Sequence, residues 1–268
     1  MKFDFHTHHD RCSHAIGKIE DYIQSAIHND LDMIGISDHS PFFGHEDDHP
    51  YPQISMSKSD FGQYVDEVIQ LKQKYQGKIE VLLGVESDFF PEHYKTYKNI
   101  YSKYPFDYII GSVHMSNGLD IFSKKRWECL DKTEYQKEKE IYYKLIQQSA
   151  KAGMFDILGH IDAMKGFFPE FSDIQTPVLD ETLKVIAECD IAIEINTSGK
   201  TKECGGWYPS NEILERVLFY GGKVTFGSDA HTPARVAEDW EEVQTFLREI
   251  GYKEWAIFRK RKREMVSI

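Results

Sequence analysis

The chain has few cysteines, and none close enough to another to act with it. Cys12, Cys129, Cys189 and Cys204 stand far apart and form no C-x-x-C pair. That excludes a disulfide framework and a cysteine-rich zinc module. Free thiols, with no hydrophobic signal segment before His6, lead us to expect a reduced, cytoplasmic protein. No run approaches the roughly 20 apolar residues of a membrane helix, so no membrane partner is expected. Positive charge is also in short supply: 32 Lys and Arg face 44 Asp and Glu, for a formal charge of −12. Nucleic acid is not an expected partner, because binding it takes clustered cations to displace counterions. The one basic run, Arg259-Lys260-Arg261-Lys262-Arg263, is read as the solvated end of the last helix, where positive charge suits the helix dipole.

What is present is enough apolar material for one large core. Hydrophobic residues make up 41% and aromatics 13% of 268 residues, and the length fits a single domain over 1–268. Seven strand-like runs recur, each closed by a potential ligand. Phe3–Phe5 leads into His6 and His8, Met33–Ser37 into Asp38 and His39, and Ile79–Val85 into Glu86. Tyr108–Val113 leads into His114, Phe155–Leu158 into His160, Ile191–Ile195 into Asn196, and Lys223–Gly227 into Asp229 and His231. Helical patterns lie between them, at Ile19–Asn29, Ser59–Tyr75, His93–Ser102, Thr133–Ala152, Thr176–Glu188, Asn211–Tyr220 and Pro233–Ile250. Gly77, Gly153, Gly221 and Gly251 suit the ends of four of these.

Apolar strands separated by helices indicate a parallel sheet. An open sheet collects its site at one crevice. Here nearly every strand carries a candidate, which requires the strand ends to form a ring. The fold class expected is therefore α/β, a distorted (β/α)7 TIM-like barrel with a metal site at the C-terminal ends of the strands. The long stretches Ser40–Lys58, Met115–Lys132 and Thr197–Ser210 fall on that same face, where barrel active sites lie.

Seven of the twelve histidines (His6, His8, His14, His39, His114, His160 and His231) sit at or shortly after strand ends, joined by Glu86 and Asp229. Nine nitrogen and oxygen donors exceed the four that one zinc ion takes. They suit two or three ions, and imidazole favours Zn, Fe or Mn over Mg or Ca. Cys12 lies close to this set and is a weaker candidate ligand, because His14 is the better donor there.

H-T-H at 6–8, the later His14, S-D-H at 37–39, G-V-E at 84–86, G-S-V-H at 111–114, G-H-I-D at 159–162 and S-D-A-H at 228–231 resemble the polymerase-and-histidinol-phosphatase (PHP) family. E-I-N-T-S-G at 194–199 and G-H-I-D-x-x-K look like its histidinol-phosphate phosphatase branch. The resemblance implies a seven-unit barrel with a trinuclear centre. It places His6, His8, Glu86 and Asp229 on one ion, Glu86 with His114 and His160 on a second, and His14, His39 and His231 on a third. The segment Asp10-Arg11-Cys12-Ser13 lacks the proline expected before His14 in relatives. The implied activity is hydrolysis of a small phosphate ester, L-histidinol phosphate in histidine biosynthesis, by hydroxide held between metals. Glu86 and Asp229 are the expected catalytic carboxylates. The alternatives are an amidohydrolase-like metal hydrolase acting on another ester or an amide, and a nucleic-acid phosphoesterase.

Phosphate also needs cations from the chain, and Lys165, Arg11 and Arg235 are the candidates on the active face. Asp38, Asp162 and Asp4 either orient ligating imidazoles or serve as loop and cap residues. Phe42, Phe43, Phe167, Phe168, Trp207 and Tyr208 follow strand ends and either wall the pocket or join the core. The acidic stretch His45–His49 either covers the site or is solvated.

Overall fold

The computed structural model describes residues 1–128 and 130–268, so Cys129 lies outside the described residues. In chain order, the first elements are β1 (Phe3–Asp4), α1 (Ile19–His28), β2 (Met33–Ile36), α2 (Lys58–Lys74), β3 (Glu80–Leu83) and β4 (Glu86–Asp88). Next come α3 (Tyr94–Tyr101), β5 (Ile110–Ser112), β6 (Met115–Ser116), β7 (Leu119–Asp120), α4 (Lys132–Lys151) and β8 (Ile157–Leu158). The remainder is α5 (Val178–Glu188), β9 (Ala192–Asn196), α6 (Asn211–Phe219), β10 (Lys223–Gly227), α7 (Trp240–Ile250), β11 (Glu254–Arg259) and β12 (Lys262–Ser267).

Local chemistry accounts for the helices. In α1, Ile19, Tyr22, Ile23 and Ala26 fall at helical spacing and are buried, so one stripe faces the core. Ser57 accepts from the Asp60 amide ahead of α2. Asp131 and Glu134 satisfy each other's backbone amides at the start of α4. Gly77, Gly153, Gly221 and Gly251 all carry positive φ, as expected where a helix is stopped.

The strands form an α/β fold with two parallel sheets, in the orders β1-β2-β3 and β10-β9-β8-β5-β4. Neither sheet closes on itself. The run 79–85 and the residues after it divide at Gly84-Val85, where β3 pairs with β2 and β4 pairs with β5. Short contacts cross from one sheet to the other. Phe5 N donates to Phe226 O at 3.2 Å and His8 N to Ala230 O at 3.0 Å; near the other junction Glu86 N donates to Ser37 O at 2.8 Å. Tyr108 spans the interior, with its hydroxyl donating to Phe5 O at 2.6 Å. A Cβ at Gly35 or Gly84 would lie 1.9 or 2.3 Å from that side chain, so both positions need glycine for space.

The C-terminal region departs from the sequence reading. The segment expected as one helix from Pro233 holds a short 3-10 turn at Pro233–Arg235 and then α7. Ala237 and Asp239 between them have φ of 59° and 62°, which a right-handed helix cannot contain. The basic run does not end a helix either. It turns the antiparallel hairpin β11–β12, with Lys260 and Arg261 at positive φ. Arg259 pairs with Glu80 at 2.7 Å, Arg261 with Asp156, and Arg263 with Asp190. Glu80 opens β3, and Asp156 and Asp190 precede β8 and β9, so the hairpin caps the N-terminal ends of the strands. Trp255 and Phe258 bury beneath it against Phe3 and Phe5. No helix among the described residues is long and apolar enough to cross a membrane.

Candidate metal centre

Beyond β1 the chain stays extended, so His6 and His8 point the same way, with ring centroids 4.9 Å apart. The other candidates come from different segments but reach the same place. His39 follows β2, Glu86 opens β4, His114 follows β5, His160 follows β8, and Asp229 and His231 follow β10. His14 closes the group from the loop after β1, 4.8 Å from His231 and 5.1 Å from His39 between ring centroids.

Glu86 is the hub. Its Oε2 lies 2.8 Å from His39 Nδ1, 3.4 Å from His6 Nε2 and 3.7 Å from His8 Nε2. Its Oε1 lies 3.1 Å from His160 Nε2 and 3.5 Å from His114 Nε2, and accepts from Ser112 Oγ at 2.6 Å. Asp229 Oδ1 lies 2.9 Å from His8 Nε2 and 3.7 Å from His6 Nε2. The nine residues named from the sequence thus occupy one site.

Buried polar atoms are normally hydrogen-bonded, yet His6 Nε2, His8 Nε2 and Glu86 Oε2 have no hydrogen-bond partner among the described residues. They approach one another with donor and acceptor directions unmatched, as lone pairs converging on a common centre do. His6, His8 and Glu86 form one compact group of donors, His8, His39 and His231 another, and His39, Glu86 and His114 a third. The donor set is imidazole and carboxylate, which fits Zn or a similar transition ion.

The opposite ring nitrogens are anchored. His6 Nδ1 lies 2.5 Å from Glu194, His8 Nδ1 3.1 Å from Asp38, and His114 Nδ1 3.0 Å from Asp88. His14 Nδ1 and His231 Nδ1 are each 3.0 Å from a backbone carbonyl, of Cys12 and Asp229. Such partners fix which nitrogen faces inward. His160 and Asp229 have positive φ, 25° and 53°, a conformation that costs a non-glycine residue on the order of 1–3 kcal/mol and gathers at functional sites.

Burial opposes the charge on Glu86, but the imidazoles of His39, His6 and His114 outweigh it and hold the carboxyl well below its usual range. Asp229 is held down in the same way by His6, His8 and His231. Burial also works against a charged His6, yet Glu194, Glu86 and Asp229 together hold its pKa well above the ordinary value. His114 is raised to about 9 against burial by Asp88 and Glu86. Burial takes His39 down to about 4, despite Glu86. Burial and the neighbouring His8 take His231 down to about 3. Both carboxylates are ionised at neutral pH, and His39 and His231 are neutral donors.

A cavity of about 480 Å³ opens over these groups. Arg235 lines it, with Nε donating to Glu238 at 2.7 Å. Arg11 does not; it pairs with Glu67 at 2.6 Å. Lys165 does not line it either. Its ammonium is buried between Asp162 at 2.8 Å and Trp207 O at 2.7 Å. Asp162 therefore holds Lys165 rather than an imidazole, and Asp4 accepts from the backbone amides of His6, Ser228 and Ala237. Of the three aspartates, only Asp38 touches a ligand-set imidazole. Phe42 lines the cavity, whereas Phe43 packs on Phe61 and Tyr97. The stretch His45–Asp48 is exposed and absent from the cavity lining.

Cys12 is buried, donates to His9 O at 3.2 Å, and groups with His8 and Asp38. Sequence reasoning passed over Glu194, Asp88, Ser112 and Lys202. Asp88 had a signal, being two residues beyond Glu86 on the same strand. Lys202 lines the cavity with its ammonium 6.0 and 5.6 Å from the Phe122 and Phe167 ring centroids, and it is not ion-paired among the described residues.

The family model described as the PHP domain matches residues 4–198. The chain belongs to the PHP family. Relatives of this PHP chain include the "Probable histidinol-phosphatase" of Clostridium acetobutylicum, 32% identical over 86% of this chain and 87% of the relative. The protein of the same name from Deinococcus radiodurans is 29% identical over 97% of each chain. Among solved structures, the PHP chain resembles the histidinol phosphate phosphatase of Lactococcus lactis, complexed with Zn, L-histidinol and phosphate. The TM-score is 0.81 at 20% identity, covering 98% of both chains.

Proposed function

We propose that this chain is a metal-dependent phosphomonoesterase that hydrolyses L-histidinol phosphate to L-histidinol and phosphate, a step of histidine biosynthesis in the cytoplasm. The observation that carries the reading is Glu86, a buried ionised carboxylate with three imidazoles from two segments at one oxygen and two imidazoles from two further segments at the other. Support for the substrate comes from relatives of that name aligned over most of the chain, and from the zinc, histidinol and phosphate held by the Lactococcus protein.

His6, His8, Glu86 and Asp229 would hold one metal ion, Glu86 with His114 and His160 a second, and His14, His39 and His231 a third. Zinc is the first candidate. Bound ions of this kind supply a nucleophile at neutral pH and neutralise charge on the transferred phosphoryl group. The chain does the rest. Glu86 presents one oxygen to each side of the cluster, Asp229 aligns His8, and Arg235 and Lys202 at the cavity rim orient the phosphate by charge. The two sheets, linked at both junctions, are read as one distorted (β/α)7 barrel and residues 1–268 as a single domain. The net charge of −12 favours a small-molecule ester over nucleic acid.

The test is phosphate release by the purified chain from L-histidinol phosphate and a panel of small phosphate esters, alongside elemental analysis. Release from histidinol phosphate well above the panel, lost with chelator and restored by zinc, is expected. No release from any ester, with hydrolysis of amides instead, would overturn it.

A further inference from the structure

Within its sheet, β9 lies between β8 and β10, yet it supplies none of the nine residues of the candidate ligand set. Its E-I-N-T-S segment nevertheless places Glu194, Asn196 and Ser198 at alternate positions, all buried. We infer that Glu194, Asn196 and Ser198 are positioning residues that hold His6 and Asp229 from behind and thereby set the metal affinity of that one site. The inference rests on the metal reading above and deepens it.

The contacts are specific. Glu194 Oε1 takes His6 Nδ1 at 2.5 Å, which leaves His6 Nε2 to face Glu86 and Asp229. Glu194 Oε2 accepts from His160 N at 3.1 Å and from Asn196 Nδ2 at 3.0 Å. Asn196 Oδ1 accepts from Ser198 N at 3.0 Å, so its amide NH2 is the end turned to the carboxylates. That NH2 also reaches Asp229 Oδ2 at 3.2 Å, and Ser198 Oγ lies 2.9 Å from the same oxygen. Asp229 is thus held by its outer oxygen while Oδ1 faces His8 and His6. The neighbouring strand β10 leaves room for this arrangement. A Cβ on Gly227 would lie 2.1 Å from Glu194 Oε1 and 2.6 Å from His6 Cβ.

Glu194→Gln shows what the charge and acceptor pattern do. Two donors face Oε2, so the new amide oxygen must sit there and the new NH2 must face His6 Nδ1. The imidazole then accepts at Nδ1 and carries its hydrogen on Nε2, where it can no longer offer a lone pair inward. Outer partners of ligating histidines are typically worth 10–100-fold in metal affinity.

The experiment is calorimetric titration of the full metal-free chain with zinc alone, paired with thermal melting of the same metal-free samples. For Glu194→Gln we expect one class of zinc site to weaken by about 10–100-fold, the others to hold, and the metal-free melting temperature to stay at the wild-type value. Ser198→Ala, which removes one donor and leaves the rest, should weaken the same class by up to about tenfold. Isotherms superimposable on wild type would overturn the inference. So would a uniform loss at all sites with a lowered metal-free melting temperature, which would mark these residues as fold supports. A wild-type chain that takes up no zinc would instead overturn the metal reading, and this inference with it.

Discussion

At the scale of single residues, the site separates groups that face the centre from groups that only look as though they should. Glu86 is buried, ionised and ringed by imidazoles. Replacing it by Gln keeps its size but removes the charge those rings share. Since outer partners alone are worth 10–100-fold, Glu86→Gln should lower phosphate release by at least about a hundredfold, read in steady-state kinetics with metal content measured in parallel. The lysines divide the same way. Lys202 lines the cavity and is not ion-paired among the described residues, so Lys202→Ala should raise KM for the phosphate ester about tenfold with little change in melting. Lys165 is buried against Asp162, so Lys165→Ala strands a buried carboxylate. Its main effect should be a stability loss of about 3–5 kcal/mol in urea unfolding.

At the scale of elements, the seven strand runs and the first six helices were legible because period and punctuation agreed: apolar runs of strand length, helical spacing between them, and glycines where helices stop. Eight of the nine candidate ligands were legible for the same reason, each falling at or within a few residues of a run, while His14 lies further along the loop after β1. The β11–β12 hairpin was not. Five consecutive basic residues look solvated in one dimension, and the acids they meet (Glu80, Asp156 and Asp190) are spread over the chain. The β9 segment stood out as the motif E-I-N-T-S-G, but the supporting role of Glu194 was hidden, because a carboxylate that hydrogen-bonds an imidazole has no fixed spacing from it in sequence. Lys165 misled because a basic residue near a strand end does not reveal which way it turns. The hairpin holds mainly through its apolar face. Phe258→Ala should cost about 3–5 kcal/mol, whereas Arg259→Ala, losing half-exposed pairs, should cost about 1 kcal/mol or less, both by urea unfolding.

At the scale of the whole molecule, the metal-free chain carries opposed titrations. His39 and His231, lowered to about 4 and 3, stay neutral in the fold while an unfolded histidine binds a proton near pH 6.5. Between pH 4 and 6.5 the unfolded state therefore binds more protons, and stability rises with pH. His114, raised to about 9, does the reverse: its contribution is present below pH 6.5 and lost as pH climbs to 9. Metal-free stability should peak near pH 6.5, with limbs of up to about 1.4 kcal/mol per pH unit per group, measured by urea melts across that range. The junctions between the two sheets carry a related consequence. His6, His8 and His39 extend from one sheet, while Glu86, His114, His160 and Asp229 belong to the other. Any cation they share would rivet the two halves together where the continuous ladders stop. Stripping it should quicken deuterium uptake at the Phe5, His8 and Glu86 amides, whose bonds cross that gap, while the β9–β10 ladder keeps its protection. Cargo for chemistry would then double as a fastener, and a cell short of that metal would hold a looser molecule as well as an idle one.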